Sequence, residues 1–250
     1  MRPYFRYDSL GVTHEGKVRA HNEDSLLVRP EIGLWAVADG MGGHARGGWA
    51  SAIIVAELET LRLDHDFAIS LESISDALYA ANDTIHEAAQ RAGEPMGSTV
   101  AALLIGNARF AALWTGDSRI YRLRRGDLAC MTHDHSLVQD LVDRNQLSQL
   151  EAKHHPMAHI LSHAVGVATP LRLDVVTGEI EDGDIFLLCS DGLTDVVDDA
   201  GIAGRLSAAK GAPAAQRLLD LALSRGAPDN VTVVSIACQE IAALPQPGDA

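Results

Sequence analysis

Short apolar runs recur along the chain, each bounded by Gly, Asp or Asn, and this pattern predicts β-strands. The runs are SLLVR, LWAVAD, STVAALLIG, RFAALWTG, RIYRLRRG, LRLDVVTG, DIFLLCSD and NVTVVSIAC. The residues TGDS between RFAALW and RIYRL favour a turn, so these two runs are predicted to form a β-hairpin. The chain is therefore expected to be rich in strands.

Other segments have the apolar spacing of amphipathic helices. Apolar residues recur every three or four positions in residues 54–61, 71–88 and 215–222, and Gly226 is suited to the end of the last helix. The strands follow one another in groups rather than alternating strictly with helices. This order predicts an α+β fold in which antiparallel sheets are flanked by helices.

The composition is consistent with one folded domain. Of the 250 residues 47% are hydrophobic, enough for a substantial core, and no linker-like segment or repeat divides the chain. We expect one domain over residues 1–240 and a flexible tail over residues 241–250. The N-terminus has no signal-peptide pattern and no apolar run approaches the roughly 18–20 residues of a membrane span, so we expect a cytoplasmic protein.

The charge balance limits the choice of partners. Lys and Arg together number 20, Asp and Glu together number 34, and the formal charge is −14. We do not expect such an acidic chain to bind nucleic acid, because phosphate groups require a basic surface. If the carboxylates cluster in space, cations must occupy the cluster to offset their repulsion.

Three of the apolar runs border on an aspartate. Asp39 ends AVAD, Asp191 follows LLCS, and Asp229 precedes NVTVV. A rigid strand fixes the direction of each carboxylate, and Gly40 leaves its backbone carbonyl accessible to a ligand. Carboxylates beside an accessible carbonyl form a ligand set for hard cations, although Asp-Gly and Asp-Asn are also ordinary turn sequences.

The segment RAHNEDS adds an arginine and two carboxylates to this set. The guanidinium fork of Arg19 matches phosphate oxygens, while Glu23 and Asp24 can hold a metal ion or its water. Two divalent cations about 3.5–4 Å apart can share a water, ionise it near neutral pH and direct it at phosphorus. The combination indicates metal-assisted hydrolysis of a phosphate ester, with Asp39 between the two cations.

Seven segments occur in a characteristic order over nearly the whole chain: RAHNEDS, VADGMGGH, GSTV, TGDSRIYRL, DHSLVQDLV, CSDGLTDVV and DNVTVV. This series resembles the successive motifs of the PPM or PP2C family of metal-dependent Ser/Thr protein phosphatases, in the short stand-alone form found in bacteria. The resemblance implies a central sandwich of two antiparallel β-sheets with α-helices on both sides. It also implies a site for two Mn²⁺ or Mg²⁺ ions in a cleft at one end of the sandwich.

The resemblance implies metal ligands by match to the family motifs. Asp39 would bridge the two ions, and Asp191 and Asp229 would complete the first site. Glu23 and the carbonyl group of Gly40 would serve the second ion. These five residues lie in four separate motifs, so the site would be assembled from distant parts of the chain.

Further residues receive supporting roles from the same resemblance. Asp24 would hold metal-bound waters, Arg19 would bind the substrate phosphate, and Asn230 would support the site beside Asp229. Bacterial members of the family bind a third metal ion more weakly. The resemblance implies that Asp117, together with Asp191, would hold this ion. Asp117 has a second explanation as a turn residue, since Gly-Asp-Ser is good turn chemistry.

The position after Asp-Gly departs from the eukaryotic members of the family. They carry a histidine there, the proposed general acid, whereas this chain has Met41. His44 lies three residues later and is a candidate for the same role. In the bacterial form of the motif such a histidine can serve packing alone, and a metal-bound water can protonate the leaving oxygen instead.

One segment is rich in histidine. Six of the 11 histidines are His133, His135, His154, His155, His159 and His163. Only Cys130 is nearby and the spacings match no structural zinc pattern, which disfavours a zinc site. The resemblance implies instead that residues 133–168 form a polar flap beside the cleft, where the family carries a variable substrate-facing segment. Because histidines titrate near neutrality, such a flap is expected to make substrate binding depend on pH.

The sequence thus predicts a phosphatase that acts on phosphoserine and phosphothreonine in proteins by attack of a metal-bridged hydroxide. Its expected partners are phosphorylated proteins and a bacterial Ser/Thr kinase that it opposes, and we expect a monomer. A Cys-based tyrosine phosphatase is disfavoured because no Cys lies in a Gly-rich loop followed by Arg. The alternative is an inactive relative that binds partners as a regulatory module, although such relatives usually lack the metal carboxylates.

Overall fold

The computed structural model describes residues 4–42, 45–153, 155–209 and 213–241, and within these ranges it contains eleven strands and seven helices. The strands are β1 Tyr4–His14, β2 Asp24–Arg29, β3 Leu34–Met41, β4 Gly97–Ser98, β5 Val100–Gly106, β6 Arg109–Thr115, β7 Arg119–Arg124, β8 Asp127–Cys130, β9 Asp174–Glu179, β10 Ile185–Cys189 and β11 Val231–Ile241. The helices are α1 Ala45–Glu59, α2 Phe67–Ala92, α3 Leu137–Asp143, α4 Gln149–Ala152, α5 Asp191–Thr194, α6 Asp199–Ala209 and α7 Pro213–Ser224.

Two antiparallel sheets form the centre of the fold. The first sheet has the strand order β1-β11-β10-β7-β8, and the second has the order β2-β3-β5-β6-β9 with β4 beside β3. Helices α1 and α2 pack on the outer face of the second sheet, while α5, α6 and α7 pack on the first. The predicted sandwich of two sheets flanked by helices is confirmed.

Strand β3 shows why the central strands are apolar at every position. Leu34 and Ala36 point toward the cluster formed with α1 and α2, whereas Trp35 and Val37 pack between the two sheets. Successive side chains of a strand point to opposite faces, so a strand covered on both faces needs apolar residues throughout. The polar Asp39 therefore stands out at the point where β3 leaves the core.

The predicted hairpin between β6 and β7 is wrong. Strand β6 pairs with β5 and β9 in the second sheet, and β7 pairs with β8 and β10 in the first. Every β6 residue after Arg109 is buried, so this strand requires a neighbour on each edge within its own sheet. Residues 115–118 instead carry the chain from one sheet to the other, which places Asp117 at the end of the sandwich.

The helix predictions agree with the structure for the three segments that the apolar spacing identified. Helices α2 and α7 cover two of them, α1 covers the first up to Glu59, and Gly226 has a positive φ of +109° just after the last helix. In the described part of the chain, none of the helices has the length and apolar character needed to cross a membrane. Apart from Ile241, which ends β11, the predicted tail falls outside the described ranges.

Candidate metal centre

The six carboxylates that the sequence predicts for the site lie at the same end of the sandwich. Strand β2 begins at Asp24 and the antiparallel β3 carries Asp39 near its end, so the two residues are partners across the ladder. Asp191 follows β10, and Asp229 precedes the antiparallel β11. Glu23 and Asp117 complete the set, which is Glu23, Asp24, Asp39, Asp117, Asp191 and Asp229.

Burial and mutual repulsion raise the proton affinity of these groups. Burial raises the pKa of Asp39 well above its ordinary value, and the charges of Asp24 and Asp191 add to the shift. Burial, followed by the charge of Asp191, raises the pKa of Asp117 in the same direction. Burial also raises the pKa of Asp24 from 3.8 to about 7. The carboxylates can remain ionised together at neutral pH only if cations are bound among them.

Two hydroxyl groups hold the carboxylate of Asp24. Its Oδ2 atom accepts hydrogen bonds from Ser190 Oγ at 2.8 Å and from Thr232 Oγ1 at 2.6 Å. Its Oδ1 atom is buried and has no hydrogen-bond partner within the described ranges. Sequence reasoning missed both hydroxyl residues, although Ser190 directly precedes Asp191 and Thr232 lies two residues after Asn230.

The backbone at Asp39 is fixed by the neighbouring GSTV segment. The N–H of Asp39 donates to Thr99 Oγ1 at 3.0 Å, and its carbonyl accepts from Thr99 N at 2.8 Å and from Ser98 Oγ at 2.9 Å. A Cβ atom at Gly40 would lie 2.1 Å from the carbonyl oxygen of Gly47 and 2.7 Å from that of Glu23. Only glycine fits between these two carbonyls, so Gly40 brings the N-terminal part of α1 against the site.

Arg19 and Asp229 form a bidentate ion pair. Arg19 Nε donates to Asp229 Oδ1 at 2.9 Å, and Arg19 Nη2 donates to Asp229 Oδ2 at 2.6 Å. The Arg19 side chain is 59% exposed, so the guanidinium lies at the surface beside Asp229. The structure thus joins the residue predicted to bind phosphate to a residue predicted to bind metal.

Asn230 ties the N-terminal segment to the first sheet. Its Nδ2 group donates to the carbonyls of Glu15 at 3.0 Å and His21 at 2.9 Å, and its Oδ1 atom accepts from Glu23 N at 2.8 Å. These bonds hold both ends of the loop that carries Arg19. The arrangement agrees with a supporting position for Asn230.

The flap, residues 133–168, lies over one side of the carboxylates. A cleft of about 420 Å³ separates them and is lined by Asp117, His159, Asp191 and Asp195 among others. His159 Nδ1 lies 3.9 Å from carboxylate oxygens of both Asp191 and Asp195, and the contact with Asp191 raises the pKa of His159 to about 9. Sequence reasoning grouped His159 with the other histidines and did not identify Asp195.

The histidines of the flap contact separate acidic partners. His133 Nε2 lies 2.8 Å from Asp143 Oδ2, and His135 Nε2 lies 3.2 Å from Asp174 Oδ2. Within the described ranges, the flap histidine that converges with other possible metal ligands is His159, whose ligand atom and those of Asp191 and Asp195 lie within 4.8 Å of one another. His154 falls outside these ranges, and so does His44, whose acid role therefore stays a prediction.

A helix-flanked double sheet with buried carboxylates and an arginine at one end has the architecture of a metal-dependent phosphatase. A family model described as Protein phosphatase 2C matches residues 11–222. The chain belongs to the protein phosphatase 2C family, which confirms the resemblance found in the motifs.

Named relatives and solved structures agree with this assignment. The serine/threonine protein phosphatase PstP of Mycobacterium tuberculosis is 41% identical over 223 residues, 88% of this chain and 42% of PstP, so the chain spans less than half the length of that relative. The structure of PppA, described as a key regulatory component of T6SS in Pseudomonas aeruginosa, matches at TM-score 0.87 and 38% identity, over 94% of this chain and 98% of that one. The catalytic domain of PstP in complex with two manganese ions matches at TM-score 0.85 and 36% identity, over 94% and 100% of the two chains.

Proposed function

We propose that this chain hydrolyses phosphoserine and phosphothreonine esters on proteins, with two Mn²⁺ or Mg²⁺ ions as cofactors. The observation that carries the proposal is the meeting of buried and half-buried carboxylates with the Arg19 guanidinium at one end of the sandwich. Carboxylates hold metal ions and a guanidinium fork holds phosphate oxygens, so both requirements of phosphate-ester hydrolysis meet at this end of the sandwich. Membership of the protein phosphatase 2C family supports the same activity.

The residues at this end of the sandwich fit divalent cations. Asp24 Oδ1 is a buried oxygen without a hydrogen-bond partner in the described part of the chain, and burial raises the pKa of Asp24, Asp39 and Asp117. Such oxygens require a proton or a cation, and carboxylates beside a backbone carbonyl are the ligands that Mg²⁺ and Mn²⁺ prefer. The two manganese ions bound to the catalytic domain of PstP support this choice of cofactor.

Each cation has its own proposed set of ligands. Asp39, Asp191 and Asp229 would hold the first ion, and Asp39, Glu23 and the Gly40 carbonyl would hold the second. When bound, the two ions would lower the pKa of a shared water and offset the negative charge of the phosphate. The rigid strand ends beneath these residues hold the ligands in position, so the site would not need to rearrange when the ions bind.

The remaining residues orient the reactants. Asp24 Oδ2 is already bonded to Ser190 and Thr232, so Oδ1 is the atom that would accept a hydrogen bond from the attacking water. The guanidinium of Arg19 would bind two phosphate oxygens and align phosphorus with that water. Asp117, together with Asp191, would hold a third and weaker ion on the side facing the flap.

The biological context is a further part of the proposal. The substrates would be proteins phosphorylated by a Ser/Thr kinase, and the enzyme would act as a monomer in the cytoplasm. Light scattering of the purified chain is expected to give the mass of one chain. A dimer in that measurement would contradict the monomer.

The activity is tested with p-nitrophenyl phosphate and a phosphothreonine peptide, each with Mn²⁺, Mg²⁺ or EDTA. Wild type is expected to hydrolyse both substrates only with metal. Asp39→Asn and Asp191→Asn are expected to lower kcat/KM by at least about 100-fold, since even residues that merely orient metal ligands contribute about 10–100-fold. Asp76→Asn is the matched control, because Asp76 is an exposed aspartate on α2.

The controls separate the proposal from its alternative. Circular dichroism must show that each variant is folded, and calorimetry must show whether Mn²⁺ binds. A folded wild type that binds Mn²⁺ and hydrolyses neither substrate would overturn the proposed activity and favour a regulatory binding module. Full activity of both variants would overturn the assignment of the ligands.

A further inference from the structure

His135 occupies the base of the flap, where the chain leaves β8 and approaches the carboxylate cluster. Its ring is 3% exposed, stacks at 29° on the indole of Trp114 with centroids 6.1 Å apart, and meets the edge of His163 at 5.5 Å. A polar ring buried to this degree needs hydrogen-bond partners for both nitrogens. The structure provides partners from two different strands.

The backbone of His135 connects three parts of the chain. Its N–H donates to the carbonyl of Gly116 at 2.9 Å, and its carbonyl accepts from Ser162 N at 2.9 Å. Gly116 directly precedes Asp117, and Ser162 lies at the returning end of the flap, three residues after His159. One residue thus links the turn at Asp117 to both the entering and the returning ends of the flap.

The ring of His135 adds a second link to the same turn. Nδ1 accepts from Gly116 N at 3.3 Å and lies 3.4 Å from Thr115 Oγ1, while Nε2 lies 3.2 Å from Asp174 Oδ2. A backbone N–H can only donate, so Nδ1 must carry a lone pair. The Asp174 carboxylate accepts, so Nε2 must carry the proton, which specifies the neutral Nε2–H tautomer.

Burial favours this neutral form. Burial lowers the pKa of His135 below its ordinary value, and Arg172 and His163 act in the same direction, against the opposing effect of Asp174. Arg172 also contacts His163 Nε2 at 3.1 Å and Asp174 Oδ1 at 3.5 Å. A proton added at Nδ1 would face the N–H of Gly116 and remove the bond between ring and turn.

We propose that neutral His135 is a positioning residue that fixes the Gly116 turn to both ends of the flap, and so sets Asp117 and His159 on opposite sides of the cleft. The inference rests on the proposed phosphatase activity, because the cleft matters only if substrate binds there. His135 itself does not reach the carboxylate cluster and acts only through the turn and the flap. Its loss is expected to loosen the turn and the flap together.

The tautomer is measured first, by ¹⁵N NMR of the histidine rings in the full chain at pH 7, metal-free and with Mg²⁺. The expected result is an Nε2–H ring with an unprotonated Nδ1 for His135. An Nδ1–H ring, or a doubly protonated ring, would overturn the proposal. This measurement requires no catalysis, so its outcome is independent of the proposed activity.

Two substitutions of His135 then test whether the hydrogen bond that the ring accepts from Gly116 is what matters. His135→Asn keeps an oxygen near the place of Nδ1 that can accept from Gly116 N–H, whereas His135→Leu removes every acceptor. His133→Asn is the matched control, because the His133 ring is exposed and contacts Asp143 outside this cluster. Amide exchange of Gly116 and Ser162 is expected to accelerate at least about tenfold in His135→Leu and to stay near wild type in the other two.

Kinetics with the phosphothreonine peptide supply a second readout. His135→Leu is expected to lower kcat/KM about tenfold or more, because small misplacements at an active site cost up to about 100-fold, and His135→Asn is expected to restore most of the loss. Equal effects of His135→Asn and His135→Leu on kcat/KM, or unchanged amide exchange in both variants, would overturn the proposal.

If His135→Leu does not fold, His135→Gln replaces it, since its longer amide reaches toward Asp174 and leaves Gly116 without an acceptor. If wild type is inactive, the proposed phosphatase activity fails, while tautomer and exchange still decide the role of His135 in the fold.

Discussion

The guanidinium of Arg19 holds both carboxylate oxygens of Asp229, at 2.9 Å from Nε and 2.6 Å from Nη2, although the residues are 210 positions apart. Asp229 is therefore shared between an exposed arginine and the proposed metal centre. A divalent cation at Asp229 would compete with the arginine and leave its fork available to the phosphate. Phosphate binding and metal binding are thereby expected to be linked through this pair.

Replacing Arg19 tests the link. Arg19→Ala is expected to lower kcat/KM for the phosphothreonine peptide about 10–100-fold, because hydrogen bonds to charged groups contribute about 1.5–3 kcal/mol. The same variant is expected to bind Mn²⁺ more tightly by calorimetry, because Asp229 loses a competing cation. Arg91→Ala on α2 is the matched control, with a side chain that is 75% exposed. Weaker Mn²⁺ binding in Arg19→Ala would contradict the competition.

The buried carboxylates predict how the metal-free chain responds to pH. Burial raises the pKa of Asp24 from 3.8 to about 7, and the pKa values of Asp39 and Asp117 rise in the same direction. An acid with a raised pKa binds its proton more tightly when folded, so folding is favoured at low pH and this contribution is lost as pH rises from about 4 through about 7.

Melting temperatures in EDTA between pH 5 and pH 8 measure this effect. The Tm is expected to fall as pH rises, Asp24→Asn is expected to reduce the slope, and saturating Mg²⁺ is expected to flatten it because cations stabilise the ionised form. A slope in EDTA that is the same in wild type and Asp24→Asn would show that Asp24 does not titrate in this window.

The hydroxyl of Thr232 is expected to stabilise the site. It donates to Asp24 Oδ2 at 2.6 Å and contacts Thr13 Oγ1 at 2.7 Å. Thr232→Val keeps the shape and is expected to lower the free energy of unfolding by about 1–3 kcal/mol, the cost of an unsatisfied buried polar group. Thr60→Val, at an exposed threonine, is expected to change it by less than about 0.5 kcal/mol. If urea unfolding shows the same loss of stability in Thr232→Val and Thr60→Val, the stabilising role of the Thr232 hydroxyl is contradicted.

Two glycine-to-alanine substitutions compare a position where an added Cβ would clash with one where it has free space. In Gly40→Ala the new Cβ would meet the backbone carbonyl of Gly47 at 2.1 Å, so the variant is expected to lose about 1–3 kcal/mol or more of stability and most of its Mn²⁺ affinity. Gly204→Ala on α6 has nothing within 4 Å of the new Cβ and is expected to gain about 0.5–1 kcal/mol. Urea unfolding measures the stability of both variants. If Gly40→Ala is as stable as wild type, the close approach of Gly40 to the Gly47 carbonyl is contradicted.

Elements with a continuous apolar run or a regular apolar spacing could be predicted from the sequence, whereas β1 and α6, which have neither, could not. Strands β3 and β10 are continuous apolar runs because helices cover one face and the opposite sheet covers the other. Strand β1 alternates exposed and half-buried residues, including Arg6 and Asp8, and was missed for that reason. Helix α6 was missed because Gly201 and Gly204 weaken its helical pattern.

The candidate site shows the same division. Three of the motif carboxylates, Asp39, Asp191 and Asp229, could be identified from their places at the borders of apolar runs. The partners of Asp24 could not, because Ser190, just after β10, and Thr232, on β11, lie 166 and 208 positions away and meet it only through the sheet packing. The failure of the predicted β6–β7 hairpin has the same origin, since local turn chemistry does not report which sheet a strand joins.

The central claim is that this carboxylate cluster is a binuclear metal site, and Mn²⁺ anomalous scattering from crystals of the wild-type chain tests it most directly. The account predicts two strong peaks that share Asp39, one beside Asp191 and Asp229 and the other beside Glu23 and the Gly40 carbonyl. Both peaks should disappear or weaken in Asp39→Asn crystals. Manganese bound elsewhere, or the absence of ordered manganese at saturating concentration, would contradict the account.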